Sequence, residues 1–596
     1  MLAAAALPPH DAARTTAEAN AARLARRGWL LGLARLAAVL SVVLTVGMFI
    51  GTPDATRFAL IIVASAVVLG LGLALRAVDD QRRRWTARID HHRRGLERCA
   101  DRWAAGPVDA APADHPYAHD LDLVGPLGLL ARLGSDLSPA GRQTPSARAL
   151  DDTTPVQGDR PAAIRSLTTL HDWRARLATA LSESGESAPL VGLITALKEG
   201  FPAPAIWQRA LAWLLRATGA AAFAAALVYW GPDGALTTLL GVAVVLAPID
   251  GGIARRFARL GDSDRLRSAL AGLAQGLTVA AELYDHADPL LRRLGTRCAA
   301  AQSAARQLAR RLAAVAQRRD PLWSFLICGP LQLATHDAVA LATWANAHCT
   351  DLASWRSDLA EVETLAALAT WAAEQGGCWP EWRSDGALLQ AQALAHPLLP
   401  RTQRRGNDVR LDQGTVWLIT GANASGKSTW LRSCALAVVL ARLGTTVPAE
   451  RLSLRPLRIA ATMRAGDDLA AGLSRFQAEV AALARAWKRL DHPGEPLLLV
   501  LDEILAGTNS HERHLASRAL IARLAGASAV TLISTHDLAL ASLADEHPQR
   551  VHLAHFADRA ASDSDDLAFD YLLRPGVTRT TNALTVLRRA GIPLDG

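Results

Sequence analysis

Thr415 to Thr429 reads TVWLITGANASGKST, and this stretch decides how the rest of the chain is taken. Its first six residues, Thr415 to Thr420, have the apolar, β-prone character of a short buried strand. Gly421 and Gly426 bracket the turn that follows, and Lys427 and Ser428 close it, so GxxxxGK[ST] is filled at each fixed position. Thr429 to Leu443 then runs as a mostly apolar helix until Gly444 stops it. A strand, a glycine loop and a helix in that order aim backbone N–H groups and the positive end of a helix dipole at one point. That is where a phosphate group binds.

The pattern is a P-loop, and working outward from it gives an α/β P-loop NTPase domain with a mostly parallel sheet. Gly421, Asn423, Ala424, Ser425, Gly426, Lys427, Ser428 and Thr429 are the expected nucleotide-binding residues. Lys427 should reach the β- and γ-phosphates of ATP, and Ser428 should ligate Mg²⁺. A second apolar strand, Leu497 to Leu501, ends in Asp502-Glu503. Asp502 is the expected second holder of Mg²⁺, and Glu503 the group that polarises the attacking water. A third strand, Ala529 to Ser534, leads to Thr535-His536-Asp537. There His536 is placed to sense the γ-phosphate, a hydrogen-bonded structural histidine being the plainer alternative. Lys427, Glu503 and His536 are the catalytic candidates.

At 596 residues the chain exceeds one compact core, so roughly three or four units are expected. Half of the residues are hydrophobic but only 5% are aromatic, so Ala, Leu and Val dominate, favouring long helices and membrane spans. The 6 cysteines form no CxxC pair, which argues against a zinc or disulfide scaffold and for a reducing compartment. A net charge of +8 suits nucleic acid or an anionic membrane surface equally.

Two hydrophobic pairs stand out. Trp29 to Gly51 carries only Arg35, a turn TPDATR follows, and Phe58 to Leu75 is uncharged. Each run is near the roughly 20 residues that a helix needs to cross a bilayer. Arg23, Arg26 and Arg27 precede the pair and Arg76, Arg82, Arg83 and Arg84 follow it, which puts both ends in the cytoplasm. The second pair is Leu211 to Trp230 and Ala235 to Ile249, joined by Gly231-Pro232-Asp233-Gly234 and flanked by Arg209, Arg255, Arg256 and Arg259. For both pairs the rival is a buried hairpin in a soluble core. The expected divisions are a transmembrane hairpin at 1–84, a soluble helical segment at 85–205, a second hairpin at 206–256, long helices at 257–390 and the ATPase at 391–596. The chain is expected to be a multi-pass protein of the inner (cytoplasmic) membrane with its ATPase in the cytoplasm.

Five blocks resemble the ATPase domain of the MutS mismatch-repair family. They are TGANASGKSTWLR, GDDLAAGLSRFQAEV (466–480), LDEILAGTNSHERHLAS (501–517), ISTHDL (533–538) and FDYLLRPGVTRTTNALTVLRRAGIP (569–593). ABC transporters and SMC proteins share the two Walker elements but lack GTNS and the closing PGV…AGIP. HPYAHDLDLVGPLGLLARLGSDLSPAGRQ (115–143) and RPAAIRSLTTLHDWRARL (160–177) are similar to a weakened MutS core. The resemblance implies a homodimer through the ATPase heads, with Ser474 facing the partner's γ-phosphate. It also implies that ATP closes the heads and hydrolysis opens them.

Two departures qualify that likeness. No Phe-x-Glu mismatch wedge precedes His115, where the membrane runs stand instead. The family's adenine-stacking aromatic is also missing from Gln403-Arg404-Arg405-Gly406, leaving Arg404 or Arg405 to stack. Two functions follow as expectations. One is a membrane-tethered ATPase that binds DNA through a basic helical core. The other is a mechanical ATPase that acts on a membrane or protein partner without DNA.

Overall fold

The computed structural model describes residues 10–51, 55–103, 111–153, 158–182, 195, 206–229, 241, 263–317, 333–463, 475–491, 494–505, 508–559 and 568–577. A long helix pair comes first, α1 (His10–Gly51) and α2 (Ala55–Cys99). The helical body follows: α3 (Leu129–Leu133), α4 (Pro139–Leu150), α5 (Arg160–Thr168), α6 (His171–Ser182), α7 (Ile206–Tyr229), α8 (Ser263–Ala281), α9 (Pro289–Gln317), α10 (Leu333–His348) and α11 (Asp351–Gln375). The centre of this body is α11, which touches α2, α4, α5, α6, α8 and α9. Its Leu365 and Leu368 are fully buried among Leu277, Leu291 and Leu167.

Helix α11 also buries Glu363 and Glu374, and a buried carboxylate needs partners. Glu363 finds them at the start of α4, where the Ser138 backbone N–H and hydroxyl both donate to it. Burial nevertheless pushes its carboxyl up to about 7, against the pull of those hydrogen bonds.

The first hairpin divides into two zones. Near its base Ala17 and Val78 are buried, and α2 passes the expected boundary at 84 without a break. Further out, the most apolar window of α1 is 0% buried, and among the described residues α1 is the one helix long and apolar enough to cross a membrane. Leu36, Leu40, Val43 and Leu44 on α1 and Val63, Leu69 and Leu73 on α2 all stand exposed. Of the second pair, α7 is described and exposes Ile206, Trp207, Trp213 and Val228. Apart from residue 241, the rest of that pair lies outside the described residues.

The C-terminal part is mixed α/β. Its strands are β1 (Glu381–Trp382), β2 (Leu389–Leu394), β3 (Asn407–Leu411), β4 (Val416–Gly421), β5 (Arg451–Leu454), β6 (Arg458–Thr462), β7 (Leu497–Asp502), β8 (Ala529–Ser534), β9 (Val551–Arg559) and β10 (Ala568–Pro575). They form a four-stranded sheet in the order β1-β5-β2-β3 and a six-stranded sheet in the order β10-β9-β4-β8-β7-β6. In the larger sheet β9, β4, β8, β7 and β6 run parallel and β10 alone is antiparallel. Parallel strands need cover on both faces. Helix α12 (Lys427–Leu443) joins one face to the core of the helical body. Helices α13 (Arg475–Leu490) and α14 (Ser510–Leu524) cover the other with Ala486, Ile521 and Leu524. A short α15 (Ser542–Glu546) leads into β9.

An open sheet edge exposes unpaired N–H groups. At the β6 edge the helical body supplies their acceptors. Ile459 N–H donates to Asp152 Oδ2 at 2.6 Å, Ala461 N–H to Pro116 O at 2.9 Å and Met463 N–H to Asp120 Oδ1 at 2.8 Å. Two of these acceptors lie in HPYAHDLDL, so that conspicuous motif seals the six-stranded sheet onto the helices.

Candidate nucleotide site

The glycine loop sits at the carboxyl end of β4, between β8 and β9, the usual place for a ligand in an open parallel sheet. Gly421 has φ +146°, Ala424 +64° and Gly426 +107°. A Cβ at Gly421 would come within 2.9 Å of both Phe556 O and Ser425 Oγ, so glycine is required there. Beyond the loop a cavity of ≈ 570 Å³ is lined by Asn423, Ala424, Ser425, Gly426, Lys427, Ser428, Thr429 and Glu503, among others. That volume lies within the roughly 300–1,000 Å³ of small-molecule sites.

Lys427 is buried and its Nζ donates to Gly421 O at 2.8 Å and Ala422 O at 3.0 Å. Its pKa is lowered by burial, with Glu503 and Asp502 pulling the other way. His536 Nε2 is 3.5 Å from Lys427 Nζ and 2.9 Å from Glu503 Oε1. The lysine, the carboxylate and the imidazole thus form one chain of contacts. Glu503 itself sits at φ +50°, a costly conformation for a side-chain-bearing residue, and Ser534 holds its backbone N–H. The same Ser534 hydroxyl donates to Asp502 Oδ1, fixing both acids at the end of β7. Asp502 opens on a smaller neighbouring cavity of ≈ 240 Å³ that shares Glu503.

The residues fit a phosphate and a hard cation. Among the described residues Ser425 Oγ is buried without a hydrogen-bond partner, and such a donor beside the loop suits a phosphate oxygen. A hydroxyl at Ser428 and a carboxylate at Asp502 are oxygen donors of the kind Mg²⁺ takes. Ser474 lies outside the described residues.

The stacking expectation at 403–406 is half corrected. Arg404 is buried, bonded to Leu399 O, Pro397 O and Gln375 Oε1, and so cannot stack on a base. Arg405 does line the cavity. Trp430, Phe556 and Tyr571 are the aromatics that line the cavity, and Tyr571, brought there from β10, is the one beside Asn407 that sequence inspection missed. Asn407 pins it: its Nδ2 donates to Tyr571 O at 3.0 Å, and its Oδ1 accepts from Leu573 N–H at 2.7 Å. The β10 register breaks there, and Tyr571 adopts φ +56°. Its only signal in the sequence was an aromatic inside the closing block, 164 residues from Asn407.

A mixed α/β domain with a glycine loop, a lysine and two acids at the strand ends defines the class. MutS domain V matches residues 417–595. The DNA mismatch repair protein MutS 2 of Halobacterium salinarum is 36% identical over 203 residues, 33% of this chain and 23% of the relative. DNA mismatch repair protein MutS of Natronomonas pharaonis is 37% identical over 205 residues, 33% of this chain and 23% of the relative. That of Parasynechococcus marenigrum is 36% identical over 215 residues, 35% of this chain and 23% of the relative. This is a MutS-like protein by its C-terminal third, and it spans 23% of the length of these curated relatives.

Proposed function

We propose that the chain is a membrane-anchored P-loop ATPase whose heads close as a homodimer on ATP and act on DNA. The observation that supports ATP turnover is the meeting of Lys427, Glu503 and His536 beside a loop with an unsatisfied Ser425 hydroxyl. In this reading the ammonium of Lys427 leaves the loop carbonyls for the β- and γ-phosphates. Glu503 accepts the proton of the attacking water, and His536 orients Glu503 and registers the γ-phosphate. Gly421, Asn423, Ala424, Ser425, Gly426 and Thr429 cradle the phosphates, while Tyr571 and Arg405 face the base. Mg²⁺ held by Ser428 and Asp502 would neutralise phosphate charge. Ser474 completes the partner's site.

The test is phosphate release from ATP by the full chain. Glu503→Gln should keep ATP binding but lower hydrolysis by roughly 100-fold or more, since an amide cannot accept the proton. The variant should accumulate as an ATP-bound dimer by light scattering. An unchanged rate would move the base elsewhere.

The uncovered apolar window of α1 supports the anchor, and the arginine flanks support cytoplasmic heads. An impermeant thiol reagent on sealed cells should label Asp54→Cys but not the exposed Glu381→Cys. The opposite pattern would invert the topology. Action on DNA rests on the names of the relatives, and a filter-binding assay must then show a steep salt slope.

One observation favours the second function, a mechanical ATPase without DNA. Leu399, Thr402, Gln403 and Arg405 line the nucleotide cavity, and between them Arg401 N–H donates to Asp101 Oδ2 at 2.8 Å, just past α2. The cavity wall is therefore tied to the base of the hairpin. Salt-insensitive or undetectable DNA binding, with turnover that responds to the lipid, would select this function.

A further inference from the structure

Three helix ends converge where the hairpin meets the body: the start of α1 at His10, the end of α2 at Cys99 and the last turn of α11 at Glu374. We propose that His10, Cys99 and Glu374 bind a divalent transition metal of the Zn²⁺ class, which staples the membrane hairpin to the helix that leads into the ATPase. One nitrogen, one sulfur and one oxygen from these side chains all lie within 4.8 Å of one another. His10 Nε2 and Glu374 Oε1 are 3.2 Å apart. Two ligands about 2.0–2.1 Å from one tetrahedral ion are held roughly 3.3 Å apart, so this pair is already spaced for shared coordination. The fourth position is left for water.

The surroundings are built for ligation rather than for packing alone. A metal-bound imidazole usually gives its other N–H to an orienting acceptor. His10 Nδ1 stands 3.1 Å from His92 Nδ1, which can accept that hydrogen and direct the Nε2 lone pair towards Glu374. The Glu374 carboxylate is oriented in turn by Arg98, whose Nε and Nη2 donate at 2.7 Å. Gly95 makes room for the ligand: a Cβ there would fall 2.5–2.7 Å from three atoms of the His10 ring. Charge also closes. The thiolate and the Glu374 carboxylate carry two negative charges that a dication cancels, and Arg98 is balanced by Asp136 at 2.8 Å. The mixed N, S and O donor set suits a borderline-soft ion and not Mg²⁺ or Ca²⁺. The ends of α2 and α11 turn their negative dipole ends towards the same place.

The test uses the full chain in detergent, stripped with a chelator and titrated with Co²⁺. One equivalent should bind with a sulfur-to-cobalt charge-transfer band that Zn²⁺ abolishes. Cys99→Ser should lose the band, while Cys349→Ser and Cys378→Ser keep it. His92→Ala, which removes only the orienting acceptor, should weaken Co²⁺ binding by about 10- to 100-fold. No thiolate band in the unmodified chain, or a band that survives Cys99→Ser, overturns the proposal. Should Cys99→Ser fail to fold by circular dichroism, His10→Gln leaves α2 intact and must weaken binding. Unchanged Co²⁺ affinity in that variant overturns the proposal equally.

Discussion

The outer half of α1 and the whole of α12 are built from the same residues, chiefly Ala, Leu and Val, and they meet opposite fates. Helix α12 buries Leu431, Leu436, Val438 and Leu440 completely between the six-stranded sheet and the helical body. In α1, Leu36 is 58% exposed and Leu44 70%. Composition sets the free energy available from leaving water, at about 25 cal/mol per Å². It does not say what will do the covering. For α12 the cover is protein, a parallel sheet that needs a helix on that face. For α1 none of the described residues supplies it, and a bilayer is the solvent that would.

The sharpest way to break this contrast is at the first residue of α12. Lys427→Ala should lower ATP turnover by roughly 1,000-fold, because no other cation is described as reaching into the loop cavity from α12. Turnover at the original rate would leave α12 as packing alone, no different in kind from a core helix. Next in size comes truncation within each helix. Leu436→Ala in α12 should cost about 2–5 kcal/mol of unfolding free energy. Leu40→Ala in α1, at 55% exposure, should change the unfolding free energy by less than about 0.5 kcal/mol. Thermal unfolding followed by circular dichroism reads both, and equal costs would mean that α1 has a protein cover after all.

Leu40→Arg sharpens the comparison from the other side. At the centre of a span the arginine should cost about 2.5–3.5 kcal/mol of insertion, read as a loss of the chain from the membrane fraction. An undiminished membrane fraction would remove α1 from the bilayer.

The last comparison is with α11, which buries a smaller share of its length than α12 and carries acids. The carboxyl of Glu363 stands at about 7 in the fold, above the roughly 4.3 of an unfolded glutamate. Between those values the folded chain holds a proton that the unfolded chain has released. Stability therefore falls as pH rises from about 4.3 to about 7, then levels off. Glu363→Gln should flatten that slope, as unfolding midpoints at pH 5 and pH 8 would show. A slope that persists assigns it to another group.

How much of this was legible differs by element. The strand, loop and helix around Lys427 could be read directly because their spacing is local: each fixed position lies within one turn of the next. Asp502, Glu503 and His536 could be read because each follows an unbroken apolar strand. Tyr571 could not, since its placement depends on a register break held by Asn407. Nor could the role of HPYAHDLDL, which becomes plain only when β6 is seen to need acceptors. Cysteine spacing argued against a zinc site, and it speaks only for ligands close together in the chain. His10 and Glu374 are 364 residues apart.

The sequence by itself determined the glycine loop between its strand and helix, the two strand-end acids, the long helices and the existence of the apolar runs. Those properties depend on backbone conformation and hydrophobic periodicity over some twenty neighbouring residues. Tertiary structure alone decided which apolar helix the protein covers, that Tyr571 reaches the cavity beside the glycine loop and which polar side chains share the base of the hairpin. These are contacts between elements hundreds of residues apart. They are fixed by how sheets and helices bury one another's faces and satisfy one another's hydrogen bonds, and no local window of sequence contains both partners.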